Sequence, residues 1–592
     1  MRRFRLPIPV VTRSGRRRPA GHLRRALSPR GALALQSVDG AVSFALRAAL
    51  AMALPALPIA LAGRADLAVY AMLGSFTTTF GRNLPYKRRA RVLAVVAVAM
   101  TAAVGCGSAL AAWAWPRDGA AAASVVVATA AVAGIAKLAC DAARLSGLGA
   151  VLQLLSFAVA ANGSPAPSDV LPQTALAASG AAVAWVLAVS GWFVHPDRPE
   201  RLAVAAALRE LAGLLEAIGS GDGGGLVRHR ATAAVLQAYR TLGVMPPTAS
   251  GRDGRDDVCV RLTDLCWSLL TGSTRRPPKD PTELARHLRR QGRLLVNHRP
   301  GPPRPLPELS PPSAAVRAGT VPALGPEQPR ADRTTWRGAG LRATELVTGR
   351  LHGRPDHASV LLVPALRMTL GTGLAGGTAL LLGLGHGYWA AISAAAVLHS
   401  VNVRTAAQRA VQRTLGTAAG LALALGVLAA RPNPVVLVLV IVLLEFLLEY
   451  VVARNYGLGV VFLTPLALLL SDLEDPSSAA ALVQDRALSS ALGIVIALGC
   501  ALLVVHDRAA VRAERALAAC TAASGCAERA LDSRSEPSFP VVQARLAAAV
   551  VELREADDAA AGELWPAEID PTELATAEQR AYLLLERLVR RR

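Results

Sequence analysis

Two long stretches of this chain, 41–195 and 356–505, are written almost entirely in Ala, Val, Leu and Gly, and each gives way to a stretch where charged residues return at helical spacing. A helix needs about 20 mostly apolar residues to cross the hydrocarbon layer of a bilayer. On that length the first stretch divides into helices at 41–62, 65–81, 92–115, 119–139, 143–163 and 172–194. The second divides at 358–384, 387–402, 414–430, 435–452, 457–470 and 483–505. The pattern predicts an all-α membrane protein with about twelve transmembrane helices in two six-helix repeats plus helical cytoplasmic regions.

Between and after the apolar stretches the periodicity is amphipathic. Leu202, Ala206, Leu211, Leu214 and Leu215 share one face of a helix over 200–218, and further helices are predicted at 226–242, 256–271 and 281–296. The Pro-rich run from Arg299 to Pro329 reads as a linker. The division is a basic cytoplasmic tail at 1–40, a first membrane repeat at 41–195, a helical cytoplasmic domain with its linker at 196–355, a second membrane repeat at 356–505 and a helical cytoplasmic region at 506–592, expected to pack on the first cytoplasmic domain.

Charge orients this pattern. The first forty residues hold Arg2, Arg3, Arg5, Arg16, Arg17, Arg18, Arg24 and Arg25 against the single acid Asp39, and no apolar segment with a cleavage site follows as in a secretory signal. The connections at 82–91 and 404–413 are basic, whereas Asp169, Asp472, Glu474 and Asp475 fall on the opposite side. Basic connections face the cytoplasm, so the expected location is the cell membrane, multi-pass, with both termini cytoplasmic. A net charge of +22 over 592 residues raises nucleic acid as a partner, but aromatic residues are 4% of the chain and the arginines flank apolar spans, so no nucleic acid is expected. The seven cysteines form no C-x-x-C pair and no zinc spacing, so no metal and no cofactor is implied. A phosphate-cradling glycine loop, G-x-S-x-G and H-E-x-x-H are all missing, which argues against an enzyme.

The two apolar stretches also look alike. Ala45-Leu46-Arg47 matches Ala365-Leu366-Arg367, and Tyr70 matches Tyr388 with Arg91 and Arg409 at the same later spacing. Ala143-Arg144-x-x-Gly147-Leu148-Gly149 matches Ala453-Arg454-x-x-Gly457-Leu458-Gly459, and both halves close on a His-x-Asp-Arg or His-Asp-Arg sequence at His195 and His506. Since each half starts and ends inside, the repeats are parallel.

The Tyr-Trp-Ala-Ala start at Tyr388, the basic segment after it, Arg413-x-Leu415-Gly416-Thr417, Ala453-Arg454-Asn455-Tyr456-Gly457 and Phe462-Leu463-Thr464-Pro465 resemble the fusaric acid resistance (FUSC-type) integral membrane transporter family. That family is related to the aromatic acid exporters and, more distantly, to aluminium-activated malate transporters. The resemblance is clearest over 360–505 and weaker over 41–195, where no Trp follows Tyr70. It implies six helices per repeat, a helical cytoplasmic domain and transport of organic anions, with the two halves acting as a covalent pseudo-dimer.

Several residues stand out as candidates for that chemistry. Arg47 and Arg367 lie about two turns inside their helices, where a charge costs roughly 2.5–3.5 kcal/mol at the bilayer centre; they either attract a substrate carboxylate or snorkel to headgroups. Glu445 and Glu449 share one helix face among Leu, Phe and Val, as a proton-coupling pair or as partners of Arg454 or a loop arginine. Arg88, Arg91, Arg404, Arg409 and Arg413 are candidates for a cationic cytoplasmic vestibule, with topology determination as the plainer role. Tyr388, Trp389 and His399 offer stacking or a polar contact to an aromatic substrate; the plainer role for His399 is a hydrogen-bonded residue at a helix end.

The expected function is export of small organic, aromatic acid anions, with the lipid bilayer and those anions as partners and possible proton coupling. A passive anion channel and a membrane-anchored scaffold with a partner-binding cytoplasmic domain are the alternatives, and a homo-oligomer or an accessory export subunit stays open.

Overall fold

The computed structural model describes residues 40–297 and 356–590, apart from short stretches at 83, 117–118, 144, 146–148, 164, 221–224, 245–257, 274–277, 279, 401–402, 475–477, 504–507, 533–538 and 561–569. The basic tail over 1–39, the Pro-rich linker, Arg144, Gly147, Leu148, Asp475, His506 and Asp507 therefore lie outside the described residues.

Every regular element among the described residues is a helix. The first apolar stretch forms α1 (Ala41–Leu61), α2 (Ala65–Ser75) continued by a 3-10 turn (Phe76–Thr79), α3 (Tyr86–Trp113), α4 (Gly119–Ala142), α5 (Gly149–Asn162) and α6 (Val170–Val194). The soluble stretch forms α7 (Arg198–Gly219), α8 (Gly225–Leu242), α9 (Val258–Gly272) and α10 (Pro281–Val296). The second apolar stretch forms α11 (Asp356–Leu381), α12 (Tyr388–Leu398), α13 (Val403–Ala429), α14 (Pro434–Val451), α15 (Tyr456–Glu474) and α16 (Ala479–Leu503). It is followed by α17 (Arg508–Asp532), α18 (Phe539–Ala560) and α19 (Pro571–Arg590).

Among the described residues, eight helices are long and apolar enough to cross a membrane: α1, α3, α4, α6 with the 3-10 turn before it, α13, α14, α15 and α16. Three of the expected spans are much shorter, with 11 residues in α2, 14 in α5 and 11 in α12. At 1.5 Å per residue these reach only ~16–21 Å, against ~30 Å of hydrocarbon. Nine residues of α2, eleven of α5 and ten of α12 are buried, so these helices make the centre of the bundle and their ends meet protein. That setting tolerates a short helix because neighbouring side chains satisfy its ends.

A second departure concerns the basic segments. Helix α3 starts at Tyr86 and α13 at Val403, so Lys87 to Arg91 and Arg404 to Arg413 are helical and are not loops. A run of Arg and Lys does not end a helix; Pro85 sets the start of α3, and the charged turns extend past the apolar layer.

The helices of the two apolar stretches pack in corresponding pairs. Within the first, α1 packs on α2 and α6, α2 on α6, α3 on α5 and α6, and α4 on α5. Within the second, α11 packs on α12 and α16, α12 on α16, α13 on α15 and α16, and α14 on α15. Between them α1 lies along α14 and α11 along α4, while α2 meets α15 and α12 meets α5. Small residues permit the closest crossings: a Cβ on Gly74 would lie 2.0 Å from the Ala177 carbonyl oxygen, and one on Gly180 1.9 Å from that of Ala71.

The two soluble segments build one domain. Leu208, Leu211 and Trp267 of the first share a core with Leu546, Leu553 and Leu585 of the second. The Thr232 and Tyr582 hydroxyls meet at 3.2 Å across their boundary. This domain sits at the end of the bundle where the basic segments lie, since Arg198 donates to the Ser43 hydroxyl at 3.0 Å and Arg240 shares a groove with Lys87, Arg88 and Arg91.

His229 supplies a pH test of this domain. Burial holds its imidazole below the ordinary value, with Arg554 and Arg230 adding to that effect and Asp558 opposing it. The unfolded chain then binds the proton more readily, so this contribution is complete above about pH 6.5 and declines as pH falls below it. Melting of the purified protein should show a lower transition at pH 5.5 than at 7.5, and His229→Gln should flatten that slope; an identical slope in the variant would remove His229 as its source.

Candidate functional site

The second apolar stretch encloses a continuous run of polar side chains. Helix α12 carries Tyr388, Trp389 and Ser393 into the bundle; α11, α13 and α16 pack on it, and α15 reaches it through Ser471. At the end far from the soluble domain, the His386 imidazole Nδ1 lies 3.0 Å from Asp485 Oδ2. Beside it the Tyr388 and Ser471 hydroxyls are 3.1 Å apart, and the Tyr388 and Trp389 ring centroids are 4.6 Å apart. The Arg486 guanidinium stacks 3.7 Å from the centre of the Trp389 ring. Next comes Arg413, whose Nη2 donates to the Ser393 hydroxyl at 3.1 Å and whose Nη1 donates to the Tyr456 hydroxyl at 3.3 Å. Ser393 donates in turn to Ser490 at 3.5 Å. Arg409, 5.5 Å from the Tyr456 ring centre, continues the run toward the soluble domain.

Arg413 and Arg486 are each only 1% exposed. Arg413 lies ten positions into α13 and Arg486 seven positions into α16, so they stand ~15 and ~10 Å from the starts of their helices. Burying a charge at this depth is costly, and such residues usually face a cavity or a partner. Tyr388, Trp389 and Arg413 are thus brought together, but Arg413 is an interior group and not part of a surface vestibule. Arg88, Arg91 and Arg404 are exposed and Arg409 is half-buried.

A second charged cluster lies where α1 meets α14. The guanidinium groups of Arg47 and Arg82 stack on the Phe44 ring at 4.7 and 4.3 Å. Glu445 and Glu449 are buried on α14, and Glu449 is within electrostatic reach of both Arg82 and Arg47. Arg89 closes the neighbouring turn, its Nη2 donating to the Arg82 carbonyl at 2.8 Å and its Nε to that of Gly81 at 3.3 Å. Arg454 is engaged elsewhere, 3.9 Å above the Tyr450 ring. Glu449 therefore has two cations in reach, the loop arginine Arg82 and Arg47.

Arg367 is placed differently from Arg47. Its Nη2 donates to the Ser400 carbonyl at 2.8 Å and to that of Leu398 at 3.4 Å, closing the C-terminal end of α12. His399 is at that same end, the opposite one from Tyr388 and Trp389. The eleven residues of α12 separate them by ~15 Å.

Sequence reasoning missed Arg486, Ser393 and Ser490. Arg486 had a signal: with Asp485 it is one of two charged residues in an otherwise apolar helix. The two serines had none, because hydroxyls are common in spans and only the neighbouring helices reveal which of them meet a charge.

Comparison with known proteins falls on this region. Residues 374–500, which include Trp389, Ser393, Arg413, Tyr456, Arg486 and Ser490, match the family described as fusaric acid resistance protein-like. Over that segment the chain is similar to that family, and its long apolar helices are those of a multi-pass membrane protein. An uncharacterized membrane protein, YvaC of Bacillus subtilis (strain 168), is 26% identical over 483 residues, covering 76% of this chain and 71% of the relative. That likeness extends well past the matched segment and so takes in parts of the chain outside the polar run. No solved structure matches it.

Proposed function

We propose that this protein is a transporter that exports small organic anions from the cytoplasm across the cell membrane. The observation that carries this reading is the polar run through the family-matched segment, with two buried arginines at its middle. A run of donors and cations is the interior an anion needs when it leaves water, because fixed N–H and O–H groups replace its hydration shell.

In this reading the apolar helices form twelve crossings in two parallel six-helix repeats. The reciprocal packing supports it: α1 on α14 answers α11 on α4, and α2 on α15 answers α12 on α5, as a twofold along the membrane normal requires. The basic turns of α3 and α13 place the soluble domain and both termini in the cytoplasm. Arg88, Arg91 and Arg404 gather anions at the inner mouth, Arg409 leads inward, and Tyr388 and Trp389 line the outer part of the route. Arg47, Glu445 and Glu449 hold the two halves together at the inner face, and Arg367 and His399 fasten the inner end of α12.

Inverted membrane vesicles containing the protein should accumulate labelled benzoate faster than vesicles without it. Equal rates would sink the proposal. Glu445→Gln/Glu449→Gln vesicles that keep their full response to an imposed pH gradient would assign the pair to ion pairing; loss of that response would assign it to proton coupling.

A further inference from the structure

We propose that Arg413 and Arg486 form a single buried binding site for a carboxylate, and that this site exists only in the second half of the bundle. The naming of a carboxylate rests on the transport reading above; the site itself rests on geometry.

Arg413 donates to Ser393, which donates to Ser490 one helical turn from Arg486 on α16, and Arg486 stacks on Trp389 of the same α12 that carries Ser393. Among the described residues neither arginine forms an ion pair, and the nearest acid along α16, Asp485, is turned to His386. Nε of Arg413 and both Nε and Nη1 of Arg486 are buried without a hydrogen-bond partner, as is the Ser489 hydroxyl. Two like charges with unused donors at this depth are an unstable arrangement unless an anion sits between them. Planar guanidinium forks match the two oxygens of a carboxylate, and the Ser393, Ser490 and Tyr456 hydroxyls add directional contacts that a spherical halide does not use.

The first half has no counterpart. Helix α6 carries no charged residue from Val170 to Val194, and α3 carries none after Arg91. Ala71 stands where the second half has Trp389, and the backbones of α2 and α6 close on each other at Gly74 and Gly180. Ser75, the collinear match of Ser393, donates to the carbonyl of Met72 in its own helix. The first half thus lacks both guanidinium groups and the Trp389 ring, while its α2–α6 crossing is matched in the second half by the approach of Gly493 to Ala390.

The test is equilibrium binding of labelled benzoate and labelled succinate to the purified full chain in lipid nanodiscs at low chloride. At least one of the two should bind saturably, at one site per chain. Arg486→Gln and Arg413→Gln should each weaken binding at least tenfold, and Arg515→Gln, on the exposed face of α17, should leave it unchanged. Arg486→Lys keeps the charge if the Gln variant fails to fold, and it should still weaken binding because the planar fork is lost. No saturable binding of either probe, two equivalent sites per chain, unchanged affinity in the Arg486 variants, or displacement of the probe by equimolar chloride would each overturn the proposal. Binding by the wild type without export from vesicles would defeat the transport reading and leave this site standing. Export whose concentration dependence is untouched by Arg486→Lys would do the reverse.

Discussion

Removing Arg47 alone should destabilise the bundle, and removing Glu449 with it should restore much of the loss. Glu445 and Glu449 are buried where α1 meets α14, and the positive charges of Arg82 and Arg47 act on Glu449. Breaking an isolated buried pair typically costs about 3–5 kcal/mol; with Arg82 still in reach of Glu449 the loss of Arg47 costs less than that, and neutralising both members costs less still. Arg47→Gln should therefore melt below the wild type, and Arg47→Gln/Glu449→Gln should melt between them, at least halfway back. The measurement is the melting temperature of each purified variant at pH 7.5. A double variant no more stable than Arg47→Gln would show that the two groups do not act as a pair.

The second large effect is expected from a single methyl group. Gly180→Ala would put a Cβ 1.9 Å from the Ala71 carbonyl oxygen, where real contacts are never under 3.0 Å, so α2 and α6 must move apart. Overpacking of this kind costs about 1–3 kcal/mol. Alanine also favours the helix over glycine by about 1 kcal/mol, so the same change at a roomy site has the opposite sign. Gly377, on α11, has no atom within 4 Å of an added Cβ. Gly180→Ala should thus lower the melting temperature and Gly377→Ala should hold or raise it. Equal shifts in the two variants would mean that the close crossing of α2 and α6 does not hold the central helices.

The sequence by itself determined that this is a multi-pass helical membrane protein, because span length, apolar composition and the placement of Arg are local properties. It also marked Glu445 and Glu449, since two carboxylates on one apolar helix face are visible from spacing alone. What it left open were the helix ends: Lys87 to Arg91 read as a loop because charge interrupts an apolar window, yet backbone hydrogen bonding continues through it. Only the tertiary structure decided which charges meet. Arg47 and Arg367 hold matching places in the sequence but lie in different surroundings, one facing Glu449 from α1 and the other closing the end of α12. Arg413 and Arg486 are 73 positions apart, and no spacing rule joins them; the packing of α13 and α16 around α12 does, because burial removes the water that would otherwise screen and separate two cations.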